Sequence, residues 1–154
     1  MKRLSGLIRY DKEFAASVAT LEEQMAAKNP KPIVINGLTS GAYSAYLSEA
    51  VEELKRASRA PSLIIVRDDS EREKVLSSLL ADGIRAFGYK PRDFVFHNIS
   101  ASHDTERERL SVLSALILGE CDAVVTTPSA ALQRTVPEEL LSGSAQGVCQ
   151  RVSQ

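Results

Sequence analysis

Short apolar runs recur along this chain at about 30-residue intervals, and a helical pattern lies between each run and the next. The runs fall at positions 33–35, 62–66, 94–96 and 123–126. Strands that alternate with helices at this spacing form right-handed βαβ units, whose strands are parallel. The sequence therefore predicts an α/β fold, with a parallel sheet of at least four strands between two layers of helices.

Amphipathic stripes predict the helices of this fold. One helix is predicted over about residues 11–27, because four apolar residues there share one face. Ser70 and Glu73 have the spacing of a capping box and predict the start of another helix. The apolar stripes of the predicted helices contain Phe14, Val18, Leu21 and Met25; Tyr43, Leu47 and Leu54; Val75, Leu76, Leu79 and Leu80; and Leu110, Leu113, Leu116 and Ile117. Leu110 and Ile65 are expected to lie in the core.

Breaks in this pattern divide the chain into three parts. We predict an N-terminal helix within residues 1–30, the α/β domain over residues 31–137, and a linker-like tail over residues 138–154. The first boundary follows from Pro30 and Pro32, which end a helix. The second follows from the Ser-Gly-Ser-Ala-Gln-Gly stretch at 142–147, which is typical of a linker.

Composition and charge exclude several classes of protein. Apolar residues make up 44% of the chain and charged residues 25%, values typical of a globular protein with a core. The net charge of −1 gives no overall attraction to nucleic acid or to lipid headgroups. Cys121 and Cys149 are far apart and predict neither disulfides nor a metal site. We expect a cytoplasmic protein without a membrane span, and nucleic-acid binding is not expected of this chain alone.

A glycine-containing loop at 37–44 follows the first predicted strand and leads into a helix, the position at which α/β proteins bind ligands. Compared with the phosphate-loop pattern G-x-x-x-x-G-K-[ST], it keeps the first glycine and the final hydroxyl. Alanine replaces the second glycine, and tyrosine replaces the lysine that phosphoryl transfer depends on. We interpret the loop as a relic that binds no cofactor; its residues are Gly37, Thr39, Ser40, Gly41, Ala42, Tyr43 and Ser44.

Other polar residues give weaker indications of chemistry. Asp68 and Asp69 end an apolar run, as a magnesium-binding carboxylate would, but they are also placed to cap the next helix, which is the favoured interpretation. His97 and His103, near Asp93 and Asp104, lack the spacing of metal ligands, so no metal site is predicted. Arg107 and Arg109 are interpreted as the solvated face of a helix. No residue is predicted to be catalytic.

The order of these pieces resembles the amino-terminal segment of the bacterial transcription-repair coupling factor family (Mfd), which is similar to the first helicase-like domain of the excision-repair protein UvrB. The resemblance covers about residues 1–138 and depends on the ordered set of motifs rather than on any single motif. The segments that carry it are the loop at 37–41, the strand and helix at 63–80, Pro-Arg-Asp-Phe-Val-Phe-His at 91–97, Arg-Leu-Ser-Val-Leu at 109–113, and Val-Val-Thr-Thr-Pro-Ser-Ala-Ala-Leu-Gln-Arg at 124–134.

The resemblance implies a degenerate domain with the P-loop NTPase (RecA-like) fold and no activity of its own. In that family the amino-terminal module takes part in recruiting the nucleotide excision repair machinery and in repressing an ATP-dependent DNA translocase that removes stalled RNA polymerase. UvrA is contacted through the adjoining domain, and RNA polymerase and DNA through later domains, all outside this chain. In the family the corresponding loop has lost its nucleotide-binding residues, which agrees with Ala42 and Tyr43 here.

Two alternatives remain open from the sequence. The chain is a small nucleotide-binding or phosphoryl-transfer protein if another lysine replaces the missing one. Lys31 and Lys90 are the nearby candidates along the chain. A free-standing interaction module of flavodoxin-like topology is the other alternative, and the linker-like tail argues against it.

Overall fold

The computed structural model describes residues 4–58, 60–92 and 99–137. From α2 onward, the elements within these ranges alternate between helix and strand, as an α/β fold requires. In chain order they are a 3-10 helix Leu4–Tyr10, α1 Lys12–Ala26, α2 Ser40–Ser58, β1 Ser62–Ile65, α3 Asp69–Ala81, β2 Ala86–Tyr89, α4 Ile99–Ile117, β3 Ala123–Thr126 and α5 Pro128–Ala131. No helix in these ranges is long and apolar enough to cross a membrane.

The described strands form one parallel sheet of three strands in the order β1-β3-β2. Ser62 pairs with Ala123 at one end of β1 and Ile65 with Thr126 at the other, while Ala86 and Tyr89 of β2 pair with the same two residues of β3. The central strand is thus the last in sequence. Its four residues are all buried, because it has a neighbour on each side and helices on both faces.

Side chains of β3 alternate between two hydrophobic clusters on opposite faces of the sheet. Ala123 and Val125 face the larger cluster, which includes Leu79 of α3 and residues of α2. Val124 faces the other cluster, which includes residues of α4 and Ala130 of α5. Helices therefore cover both faces, which confirms the predicted α/β class and parallel sheet. The described sheet has three strands, however, and not the four or more that the sequence predicts.

The 3-10 helix and α1 pack on α2 through a third cluster. Phe14 and Val18 of α1 contact Tyr46 and Ala50 of α2, and the rings of Phe14 and Tyr46 meet edge to face with their centres 5.2 Å apart. Arg9 of the 3-10 helix pairs with Glu49 of α2, whose side chain is only 3% exposed. An apolar cluster and a largely buried ion pair thus join the N-terminal elements to the domain.

The predicted strand at 33–35 is wrong. This segment forms no strand, and Val34 is 77% exposed. A three-residue run gains too little burial to compensate for strand formation when both flanks are Pro- or Gly-containing loops. The predicted strand at 94–96 lies outside the described residues. In its neighbourhood the structure instead has β2, which the sequence did not reveal.

Two residues that the sequence predicts to lie in the core are exposed instead. Leu110 is 36% exposed and Ile65 is 55% exposed. Their neighbours Arg109 and Ile64 take the buried positions, at 2% and 9% exposure. Leu113 and Leu116 of the predicted stripe do pack against the core, next to the buried Val112 and Ala115, whereas Leu110 lies at the exposed edge of that face. Ile65 is exposed because β1 buries only one of its two faces.

The start of α3 shows a different capping pair from the predicted one. Asp68 is the N-cap residue, and its carboxylate accepts a hydrogen bond from the backbone N–H of Glu71 at 2.9 Å. The side chain of Glu71 reaches back and accepts from the N–H of Arg67 at 3.1 Å. The capping box therefore lies two residues before Ser70 and Glu73, with Asp68 as the N-cap residue of α3.

Candidate functional site

The relic loop at 37–44 lies beyond the carboxyl end of β1. Leu38, Tyr43 and Ser44 line a cavity of about 440 Å³ together with Arg67 and Asp68, which follow that strand. The structure therefore brings the loop to the expected edge of the sheet, although none of the described strands precedes it. The place is the one at which open α/β sheets bind ligands.

Gly37 and Thr39 determine the conformation of the turn that leads from the loop into α2. Gly37 has φ +85°, a conformation that side chains other than glycine rarely adopt. The hydroxyl of Thr39 accepts a hydrogen bond from the backbone N–H of Ala42 at 3.4 Å, and the carbonyl of Thr39 accepts from that of Tyr43 at 2.9 Å. Backbone N–H groups that a phosphate loop turns toward its ligand are thus bonded to Thr39 instead.

Tyr43 takes the position of the missing lysine, and its side chain is half-buried in the cavity wall. Burial raises the pKa of the Tyr43 phenol, and the negative charge of Glu71 adds to this effect. The hydroxyl therefore stays protonated at neutral pH and offers no positive charge to a phosphate. Ser44 lines the same cavity, so the residue in the metal-binding position of the pattern is present.

Asp68 is engaged as a helix cap, in agreement with the favoured interpretation. Its hydrogen bond from the N–H of Glu71 holds the pKa of the carboxyl below its usual value, and the Arg67 guanidinium, 2.9 Å away, contributes in the same direction. Both partners belong to the same turn. The carboxylate therefore has a structural use that needs no magnesium ion.

Two cations that the sequence argument overlooked line the cavity. Arg67 and Lys74 belong to its wall, together with Glu71. Lys31 and Lys90, the candidates from the sequence, do not: Lys90 pairs with Glu108 at 2.8 Å, and the backbone N–H of Lys31 binds the Gln24 side chain. Lys74 could have been found from the sequence, because it lies one helical turn after Ser70 on α3.

The remaining candidates are separated. Cys121 is buried, its thiol donates to the carbonyl of Ala123 at 3.2 Å, and burial raises the pKa of that thiol. His97, Asp93 and Cys149 lie outside the described residues, and His103 falls within α4. Among the residues that the structure describes, no group of three or more His, Cys, Asp or Glu side chains is placed to hold a metal ion.

A second polar cluster lies at the carboxyl ends of β2 and β3. Arg109 of α4 donates through Nη1 to the carbonyl of Lys90 and to the Gln133 side chain, and its Cζ lies 4.1 Å from the ring centre of Tyr89. The sequence prediction that Arg109 is solvated is wrong, whereas Arg107 is exposed as expected. The residue type hid this role, since arginine is rarely buried.

At the opposite edge of the sheet, Asp122 precedes β3 and is 6% exposed. Its carboxylate accepts hydrogen bonds from the Arg85 side chain, the shorter at 2.6 Å, and pairs with Lys55 at 2.8 Å. These bonds, the one from Arg85 first, lower the pKa of Asp122 to about 2. The cluster joins α2 and the segment before β2 to β3, at the edge away from the relic loop.

Comparison of the chain with protein-family models, with curated proteins and with solved structures finds no match.

Proposed function

We propose that this chain is a non-catalytic domain of a transcription-repair coupling factor, with the P-loop NTPase-like fold. In this proposal, the chain is part of the module that recruits the nucleotide excision repair machinery and represses the ATP-dependent DNA translocase. The proposal is founded on the ordered sequence resemblance over about residues 1–138. The parallel sheet with helices on both faces is compatible with it.

The single observation that supports the non-catalytic part is the state of the relic loop. It lies at the ligand-binding edge of the sheet, yet Thr39 bonds the N–H groups of Ala42 and Tyr43. A neutral phenol stands where a phosphate loop has its ammonium group. Removing the lysine removes the charge that stabilises the transferred phosphate, so turnover at this loop is not expected.

The partners in this proposal follow the resemblance. UvrA binds through the adjoining domain, while RNA polymerase and DNA bind through later domains, none of which is in this chain. The chain itself acts as a scaffold that contacts those domains. Its net charge of −1 gives it no general attraction to DNA.

Thermal unfolding with and without millimolar Mg-ATP or Mg-ADP tests the non-catalytic part. A ligand at 100 times its Kd would stabilise the fold by about 2.7 kcal/mol, a readily measured shift in the melting temperature. We expect no shift and no phosphate release. The double variant Ala42→Gly, Tyr43→Lys restores the pattern, and nucleotide affinity in that variant alone would show that the loop backbone still fits a phosphate.

The scaffold role is tested by adding this chain to the translocase part of a coupling factor that lacks its own amino-terminal segment. We expect the ATPase rate of that protein to fall as the chain is added and to reach a plateau. A variant with Leu79→Asp, which disrupts the core, serves as an unfolded control and should leave the rate unchanged. An ATPase rate that the folded chain does not alter would count against repression.

A second candidate function is nucleotide binding with an atypical loop, and one observation favours it. Arg67 and Lys74 line the cavity next to Ser44, so positive charge is present near the position of the missing lysine. If Mg-ATP raises the melting temperature of the wild-type chain, Lys74→Ala should remove that shift. Lys12→Ala, an exposed change on α1 away from the cavity, is the matched control.

A further inference from the structure

β1 lies at one edge of the sheet, because β3 is its one neighbour among the described strands. Ser62 and Val66 donate their main-chain N–H groups to carbonyls in or next to β3, each at 2.9 Å. In a parallel ladder, alternate residues of a strand bond to the same neighbour. Leu63 and Ile65 therefore direct their N–H and carbonyl groups away from β3, toward the free edge of the sheet.

The same two residues expose apolar side chains. Leu63 is 64% exposed and Ile65 is 55% exposed, whereas Ile64 between them packs in the larger hydrophobic cluster. Parallel strands are normally buried on both faces, so a bare face on β1 is unusual. A strand that presents both apolar side chains and free main-chain groups at an edge is a template for pairing with another chain.

The opposite edge of the sheet, along β2, is protected by charge. A cavity of about 490 Å³ there borders α3 on one face of the sheet and α4 on the other. Its wall contains four charged side chains, those of Glu73, Lys90, Arg107 and Glu108. Charged groups beside an edge strand oppose the addition of a further strand, because the addition would remove them from water. The segment Ser62–Ile65 contains no charged residue, so the edge along β1 lacks this protection.

We propose that β1 pairs with β1 of a second copy of this chain, antiparallel and around a two-fold axis at Ile64. Leu63 then lies opposite Ile65 of the second copy, and each donates its N–H to the carbonyl of the other. The axis repeats this pair, and the two apolar side chains of each pair lie side by side on the bare face. This proposal is independent of the role in repair.

The main chain favours this register over its neighbours. An axis at Leu63 would place Ile65 opposite Pro61, which has no N–H to donate. An axis at Ile65 would place Leu63 opposite Arg67, whose N–H already donates to a side chain of α3 at 3.1 Å. The axis at Ile64 avoids both defects, because every free N–H at the edge then meets a free carbonyl.

Charge complementarity at this edge is therefore that of the peptide groups themselves, partial positive hydrogen against partial negative oxygen. The overall charge does not oppose the association either. Each copy has a net charge of −1, so two copies repel each other only weakly.

Sedimentation equilibrium of the full chain between about 10 µM and 1 mM tests the proposal. The contact is small, so we expect a monomer at the lower concentration and a dimer with a Kd of about 0.1 mM. A chain that stays monomeric at 1 mM would overturn the proposal and leave the edge to a strand of another protein.

Two variants test whether the dimer uses this edge. Leu63→Lys places a charge on the edge strand, and Ile65→Pro removes an N–H that makes no bond within the described sheet. Each should weaken dimerisation at least about 10-fold, with little change in the melting temperature of the monomer. Leu80→Lys, at a site on α3 that is 52% exposed, is the matched control and should leave the Kd unchanged. A dimer that survives both edge variants would lie elsewhere on the molecule, and the proposal would be wrong.

Disulfide formation tests the register, in a Cys149→Ser background so that the remaining native thiol, Cys121, is buried. A mixture of Leu63→Cys and Ile65→Cys chains should form a cross-linked dimer on mild oxidation. Residues opposite each other in a hydrogen-bonded pair have Cα atoms about 5.5 Å apart, within the range of a disulfide. Each variant alone should form far less, because identical positions lie diagonally, about 7–8 Å apart. Equal cross-linking in the mixture and in the single variants would contradict the axis at Ile64.

Discussion

Protonation of Asp122 is tied directly to the fold. Arg85 and Lys55 hold its pKa near 2 in the folded chain, against 3.8 for an ordinary aspartate. Above about pH 5 both states are ionised and the full stabilisation is present. As the pH falls through 3.8 toward 2, the unfolded chain takes up the proton first, and about 2 kcal/mol of stability is lost.

Urea unfolding of wild type and Asp122→Asn measures this contribution. The difference in unfolding free energy between the two proteins should shrink by about 2 kcal/mol between pH 5 and pH 2. Glu22→Gln, an exposed change on α1, should show no such trend. A difference that stays constant over this pH range would mean that the Arg85 and Lys55 contacts do not stabilise the ionised carboxylate.

At the scale of elements, the docking of the 3-10 helix depends on Arg9. Glu49 of α2 is nearly buried, so loss of its partner leaves a charge in a poorly solvated place. Arg9→Met should cost about 2 kcal/mol, less than the 3–5 kcal/mol of fully buried pairs, because a third of the Arg9 side chain is exposed.

A double-mutant cycle with Glu49→Gln isolates that interaction. Once the carboxylate is neutral, Arg9→Met should cost clearly less than in the wild-type background, as measured by urea unfolding. Arg56→Met removes a more exposed arginine from α2, the helix that carries Glu49. This change should cost no more than about 0.5 kcal/mol. Equal costs of Arg9→Met in both backgrounds would rule out the ion pair as the source of stability.

For the molecule as a whole, stability depends on the cluster that α2 and α3 bury against the sheet. Leu79 is fully buried there, so Leu79→Ala should lower the free energy of unfolding by about 2–5 kcal/mol. Ile65→Ala, on the bare face of β1 that carries the exposed side chains of Leu63 and Ile65, should cost less than about 1 kcal/mol. Similar costs for the two variants would mean that the bare face is covered in solution.

The sequence predicted the elements whose apolar pattern is long. It failed to predict β2, which has no such pattern. The stripes of α1, α2 and α3 and the branched runs of β1 and β3 were sufficient to predict these elements and a parallel sheet. β2 was missed because Ala86, Gly88 and Tyr89 do not form a branched run, although Asp82-Gly83 marks the preceding turn.

The site was predicted in position but not in detail. The loop lies at the carboxyl end of β1 as expected, since the turn from Gly37 into α2 is encoded locally. Pairs such as Arg9 with Glu49 and Arg85 with Asp122 join residues 40 and 37 positions apart, and periodicity contains no information on such partners. The burial of Arg109 was hidden for the same reason, because its partners lie on β2 and after α5.

The strand order has a consequence for synthesis of the protein. β1 and β2 pair only with β3, which is the last of the described strands to leave the ribosome. Until residues 123–126 emerge, the strands made earlier have no neighbour in this sheet, and helix packing alone can organise the nascent chain. The domain should therefore gain its protease resistance late and in one step, rather than growing strand by strand as translation proceeds.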